Sequence, residues 1–302
     1  MKIIKLTDEE WDFCLTAAHY KCFFYTSFWK NQIIKNFGGQ ALLIKCEVAS
    51  KNWLVPLYFG KPWSQGFRTS SIGYGGPIPL FHIHDPDLEL KNIRNVLTEL
   101  ESKYKISCKG FTTYPSHDWA SVTLKNKEFL SFTQILSLEK DPTYLFEKVF
   151  SGNVRTSIRR AQKEGVCVRL IYPNEVKVAY KLLVETQQTV KSTYVTPFSF
   201  FSSLFESASN GVKVWGAFSQ LNEMVAMSMS LFTELDGFHL FSGWDRRLGK
   251  GGANQAILWT MIQEALKLNL VSFNLGESPS ELLNKAKSRW GGNMVPILKG
   301  DL

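Results

Sequence analysis

Cysteine is scarce in this chain. Its 302 residues hold five, at Cys14, Cys22, Cys46, Cys108 and Cys167, and no two are spaced C-x-x-C. An odd number without paired spacing argues against a disulfide framework. Histidine is equally sparse, with five residues. No stretch reaches the eighteen or so apolar residues that span a bilayer. The start, Met1 to Trp11, has no signal-type apolar run. There is no low-complexity segment and no Gly/Ser/Pro-rich linker, so two long independent domains on a tether are not expected. These absences predict a cytoplasmic protein. Peripheral contact with the inner face of the membrane stays open, because 22 Phe and 9 Trp are available for it.

What is present is an ordinary globular composition, 44% hydrophobic and 21% charged, enough for a sizeable core. The formal net charge is +8. Residues 1–150 carry 18 basic against 15 acidic residues, and residues 151–302 carry 17 against 12. A modest excess of this kind favours a phosphate-bearing partner without choosing among a nucleotide, a nucleic acid and a phospholipid-linked precursor.

The second half reads most clearly. Asn174–Val190 and Phe198–Ser207 have helical spacing, the latter entered through Pro197. Three strand-like runs follow, Val212–Phe218, Met224–Phe232 and Phe238–Trp244, each closed by turn residues. A helix at Ala253–Leu268, a short strand at Val271–Leu275 and a helix at Ser280–Trp290 complete it. The first half repeats this order in blurred form. Helices are expected at 9–18, 27–37 and 88–103, and strands at 41–48, 53–59, 67–72, 106–112 and 133–138. The repeat lies in element order, not residue identity, and predicts an α/β protein of two modules, 1–140 and 141–302.

Between them lies the segment 151–164, with Arg155, Arg159, Arg160 and Lys163 against Glu164. As a helix ended by Gly165, it places Arg155 and Arg159 on one face, where two guanidinium forks match phosphate oxygens. A solvated basic helix is the plain alternative. A second basic motif, Arg246-Arg247-Leu-Gly249-Lys250-Gly251-Gly-Ala-Asn254, follows a strand and opens a helix. Glycines there let backbone N–H groups converge on a pyrophosphate at a helix N-terminus.

This loop, in this context, resembles the acyl-CoA pyrophosphate loop of the GNAT N-acetyltransferase superfamily. The whole chain resembles the FemABX-like branch, in which two such modules are fused. Tyr25-Thr-Ser-Phe-Trp29, Gly73-Tyr-Gly-Gly-Pro77, Asn153-x-Arg155-x-x-Ile158-Arg159, Phe273-Asn-Leu-Gly276-Glu-Ser278 and Lys287-Ser-Arg-Trp290-Gly291 carry the likeness in order. The long helical hairpin of some members has no counterpart here. The resemblance implies two GNAT-like modules, each a mixed, mostly antiparallel sheet flanked by helices. It implies transfer of an acyl or aminoacyl group to an amine, commonly on a peptidoglycan or surface-polysaccharide precursor. The donor is acyl-CoA in the acetyltransferases and aminoacyl-tRNA in the peptidoglycan-bridge enzymes. Acyl-CoA is expected here on the strength of the loop, with Arg246, Arg247, Gly249, Gly251 and Asn254 holding it. A non-catalytic basic module that binds nucleic acid or an anionic glycolipid is the remaining alternative.

Candidate chemistry falls at the end of the second half. Glu277, after the strand end at Gly276 where this fold opens its cleft, is the expected base, with Asp245 as runner-up. Capping and turn-forming are their plain alternatives. Lys287 stands at the family's terminal Phe-Lys pair, here Ala286-Lys287, and is expected to steady the oxyanion or leaving group. The Tyr that often serves the leaving thiol in GNAT enzymes has no equivalent, since no Tyr follows Tyr194. Arg155, Arg159, Trp29 and Tyr74 are expected on the substrate side, the two aromatics lining the acceptor cleft. His239 reads as a core histidine. His82 and His84 read as loop residues, and no metal is expected.

Overall fold

The computed structural model describes the chain apart from residues 1, 19, 49, 61–65, 71, 82–83, 126–127, 193, 246, 248–251, 279 and 301–302. It divides into two compact units, 1–133 with 295–302, and 134–294.

In the first unit, β1 (Lys2–Lys5) leads into α1 (Asp8–Leu15). Thr7 and Glu10 close a capping box at its start, each side chain bonding the other's backbone N–H. Then come α2 (Ser27–Phe37), β2 (Gln40–Val48), β3 (Lys51–Phe59), β4 (Phe67–Arg68) and β5 (Ile78–Pro79). They are followed by α3 (Pro86–Tyr104), β6 (Phe111–Thr112) and β7 (Phe129–Ser137). Asp85 caps α3 ahead of Pro86, the residue that best tolerates the first helical position. The sheet order is β1-β2-β3-β4, all antiparallel, with β5 also on β3. Trp11, Ile44, Trp53, Phe67 and Phe111 fill its core together with Leu298 from the far end of the chain.

In the second unit, a short helix α4 (Pro142–Tyr144) continues as a π turn over Leu145–Val149 and leads into α5 (Gly152–Lys163). Next are β8 (Cys167–Leu170), α6 (Val176–Thr189), α7 (Phe198–Phe205), β9 (Val212–Phe218), β10 (Met224–Phe232) and β11 (Asp236–Trp244). Then follow α8 (Ala253–Lys267), β12 (Ser272–Glu277) and α9 (Glu281–Ser288), before β13 (Asn293–Gly300). The sheet runs β12-β11-β10-β9-β8, and its ladders from β8 to β11 are antiparallel.

Three expectations change. The unit boundary falls at 133/134, and 295–302 belongs with the first unit, because β13 hydrogen-bonds β6 (Lys299↔Thr112) and buries Leu298 there. The strands expected at 67–72 and 106–112 shrink to two residues each. β1, β8 and β13 were not anticipated.

Candidate active site

The second unit's sheet forks. β11 and β12 run parallel but pair only over Asp236–Phe238 with Ser272–Asn274. Just beyond, β11 bulges. Ser230 of β10 faces His239 and Met229 faces Phe241, so Leu240 has no cross-strand partner. A bulge bends its strand and sharpens the local twist. Here it coincides with the point where the two strands part.

On the β12 side, Gly276 has φ +81°. Its N–H donates to Asn274 Oδ1 at 2.8 Å. A Cβ at Gly276 would stand 3.0 Å from the His239 carbonyl oxygen and 3.5 Å from Lys287 Nζ. The glycine therefore provides the left-handed turn and the close approach to the His239 carbonyl, while Lys287 lies at ordinary contact distance. Lys287 reaches back from α9, and its Nζ donates to the carbonyls of Gly276 and Glu277, each at 2.8 Å. Burial pulls its ammonium down to about 8, while the Glu277 carboxylate draws it the other way. His239 faces the same ammonium. Burial first, then the charge of Lys287, lowers it to about 4, against the carbonyls of Phe241 and Leu275. The imidazole is neutral at physiological pH. Its Nε2 is buried without a hydrogen-bond partner, as are Gln134 Oε1, Asn254 Oδ1 and Ser278 Oγ. His239 is buried, as its place in an apolar strand leads one to expect, but sequence periodicity gives no sign of Lys287 beside it.

The start of the loop is shaped by Asp245. Its Oδ1 accepts the Arg247 backbone N–H at 2.7 Å, and its Oδ2 pairs with the Arg247 guanidinium at 3.2 Å. Arg246, Gly249 and Gly251 lie outside the described residues. Gly252 has φ +86°, and a Cβ there would meet the Ser157 carbonyl oxygen of α5 at 2.3 Å. That close approach seats α5 beside the start of α8. The N-cap of α8 is Gly252, and among the described residues no side chain caps its first N–H groups. Asn254, in that first turn, adds an unsatisfied oxygen.

The junction helix forms as expected. Ser151 caps it, and Val166 N–H bonds the Ala161 carbonyl across Gly165. Arg155 and Arg159 do share a face, and both turn onto the π segment. Arg155 donates to the Glu147 carbonyl, and Arg159 pairs with the Glu147 carboxylate at 2.8 Å while lying over the Phe146 ring.

Trp29 and Tyr74 do not line a cleft. Trp29 is fully buried and Tyr74 nearly so, both packed edge-on against Phe24 in the first unit. Their aromatic area serves the core. His82 lies outside the described residues, and His84 is exposed.

No known family profile and no curated protein sequence matches the chain. Solved structures do. The chain superposes over all of its length on 98% of FemX, with a TM-score of 0.71 at 12% identity. It is similar over 99% of its length to 98% of a tandem GNAT protein from the clavulanic acid biosynthesis pathway, with a TM-score of 0.56 at 10% identity. It is also similar over 90% of each chain to L-PGS from Bacillus licheniformis, with a TM-score of 0.51 at 12% identity.

Proposed function

Because the chain folds as two GNAT-like modules of the FemABX type, we propose that the protein is an N-acyltransferase working at the β11–β12 fork. It moves an acyl group from acyl-CoA to an amine of a cell-envelope or surface-polysaccharide precursor. The observation that carries this reading is the fork itself, with the Lys287 ammonium held across the end of β12. A thioester carbonyl in the fork comes within reach of that ammonium. The neutral acceptor amine attacks the carbonyl carbon, the C–N bond forms and negative charge develops on oxygen. Lys287 stabilises that charge, two of its N–H bonds being fixed on carbonyls and the third remaining for the substrate. As the C–S bond breaks, the thiolate leaves, and the ammonium proton passes to Glu277 or, through solvent, to the thiolate. Asp245 is the second choice of base, although its carboxylate already holds Arg247.

The donor's pyrophosphate belongs in this reading to the loop from Arg246 to Asn254, with Arg246, Arg247, Gly249 and Gly251 around it and the uncapped start of α8 beneath. Arg155 and Arg159 serve a further phosphate, which can displace their exposed contact with Glu147. Aminoacyl-tRNA as donor is the second reading, favoured by the full-length likeness to FemX. No helix among the described residues is long and apolar enough to cross a membrane. A cytoplasmic enzyme that meets its acceptor at the membrane's inner face is the setting this reading implies.

Calorimetry with CoA, thiol release from acyl-CoA and deacylation of charged tRNA separate the readings. Gly251→Val should abolish CoA binding with the fold intact. Equal affinity in both proteins, or none, removes the acyl-CoA donor. Removing a general base costs about 10²–10⁴ in rate. Glu277→Gln should therefore lower kcat near neutrality, and its deficit relative to the wild type should narrow in part as pH rises and more of the acceptor amine is already neutral. In the wild type, kcat should decline as pH passes about 8 and Lys287 loses its proton. Lys287→Arg should shift that decline upward, and Lys287→Ala should be slow at every pH. A pH–rate profile unchanged in Lys287→Arg removes the lysine from the chemical step.

A further inference from the structure

A pocket of about 330 Å³ lies at the C-terminal end of β11, lined by Glu185, Thr186, Gln188 and Thr189 of α6 and by Trp244, Asp245 and Arg247. Thr186 Oγ1 accepts the Trp244 N–H at 3.0 Å, which fixes the end of α6 against the end of the strand. The guanidinium of Arg247 already sits there. The pair is lopsided, for the Asp245 side chain is 14% exposed and that of Arg247 88%. Glu185 adds a second favourable charge to the same guanidinium. Its own counterion within α6, Lys181, is 3.7 Å away and largely in solvent. The pocket is thus built for positive charge and filled by a loosely held side chain of the chain itself.

We propose that this pocket seats a cationic nitrogen of the acceptor between Glu185 and Asp245, with the Arg247 guanidinium as a displaceable stand-in. The inference rests on the N-acyltransferase reading for what happens at the other end of the ligand. A nitrogen clasped by two carboxylates keeps its proton and is no nucleophile. The amine that reacts is therefore a second one, lying in the fork. From Trp244 back to Phe241, beside the bulge, is three strand residues, or about 10 Å. The acceptor class that fits is a molecule with two basic nitrogens about that far apart, the outer one charged, the inner one neutral when it attacks. Trp244 lines the same pocket on the side from which the connecting chain would run.

Titration calorimetry without any acyl donor tests this. The probe is spermidine, a linear polyamine, with 1,8-octanediol as the neutral molecule of comparable length. Spermidine should bind and octanediol should not, and the binding should weaken with salt. Glu185→Gln, which gives up the pair with Lys181 and part of the attraction for Arg247, should weaken spermidine about threefold or more. Arg247→Ala should tighten it by a similar factor, because the competing cation is gone. Unchanged affinity in Glu185→Gln, weaker or unchanged affinity in Arg247→Ala, equal binding of octanediol, or no binding of spermidine each overturns the proposal. With no donor in the cell, these outcomes are independent of CoA. Failure to bind CoA removes the acyl-CoA donor and leaves a cation pocket; failure to bind spermidine beside normal CoA binding removes the pocket alone.

Discussion

Buried ionisable side chains set how single residues respond to pH. In the first unit Glu89 is almost fully buried and accepts the Tyr114 hydroxyl at 2.7 Å. Burial pushes its carboxyl up to about 7, the tyrosine bond pulling against it and Asp118 with it. The folded state therefore holds this proton more tightly than the unfolded chain, where the group titrates near 4.5. The stability it contributes is complete below that value and is lost as pH rises through about 7. Glu89→Gln keeps an acceptor for Tyr114 and carries no charge. Its melting temperature relative to the wild type should rise between pH 5 and pH 8 and level off above. Parallel melting curves across that range would return Glu89 to an ordinary ionised carboxylate. His239 has the opposite sign. Its folded pKa of about 4 lies below the ordinary 6.5, so its contribution is whole above 6.5 and lost as pH falls towards 4.

At the scale of elements, legibility followed the strength of local signals. β9 and β10 fall on the expected bounds, since turn residues close both and all nine residues of β10 are buried. The junction helix was legible from Ser151 and Gly165, whose capping chemistry is local. β13 was not, because Gly291-Gly292 reads as a stop and Pro296 interrupts the run that follows. β6 depends on the distant β13, and β4, next to β3, also leans on the backbone of Ser107 and Lys109; both sequences promise more strand than the sheet accepts. Lys287 and Gly276 were legible through motif resemblance. The neighbourhood of His239 was not, as the bulge at Leu240 leaves no mark on the hydrophobic pattern. Nor was the Glu185 pocket, whose two walls are some sixty residues apart in sequence. Trp29 and Tyr74 misled because aromatic residues in a motif pack as readily as they bind. One element contact carries a prediction. Gly252 joins α8 to α5 through a left-handed backbone and a contact no Cβ can enter. Gly252→Ala should destabilise the protein by about 1–3 kcal/mol, read as a lower urea midpoint at unchanged slope. A neutral effect would mean that α5 can move aside at no cost.

For the whole molecule, the last strand matters most. Leu298 is fully buried among first-unit residues, its N–H bonds Thr113 Oγ1 at 3.0 Å and its carbonyl accepts the Thr113 N–H at 2.9 Å. Leu298→Ala should cost about 2–5 kcal/mol, as buried leucine truncations do, and a chain ending at Met294 should lose more. If neither changes the melting of the first unit, the tail is an accessory. The same feature bears on how the protein is made. Domains on a growing chain usually fold in the order in which they emerge, the N-terminal one first. Here residues 1–133 lack a core residue and an edge partner until 295–302 have been made. The second unit, contiguous from 134 to 294, has all its residues sooner. The first unit therefore waits, incompletely packed, on a segment made after the second, and a stop codon ahead of Val295 strips it of that packing.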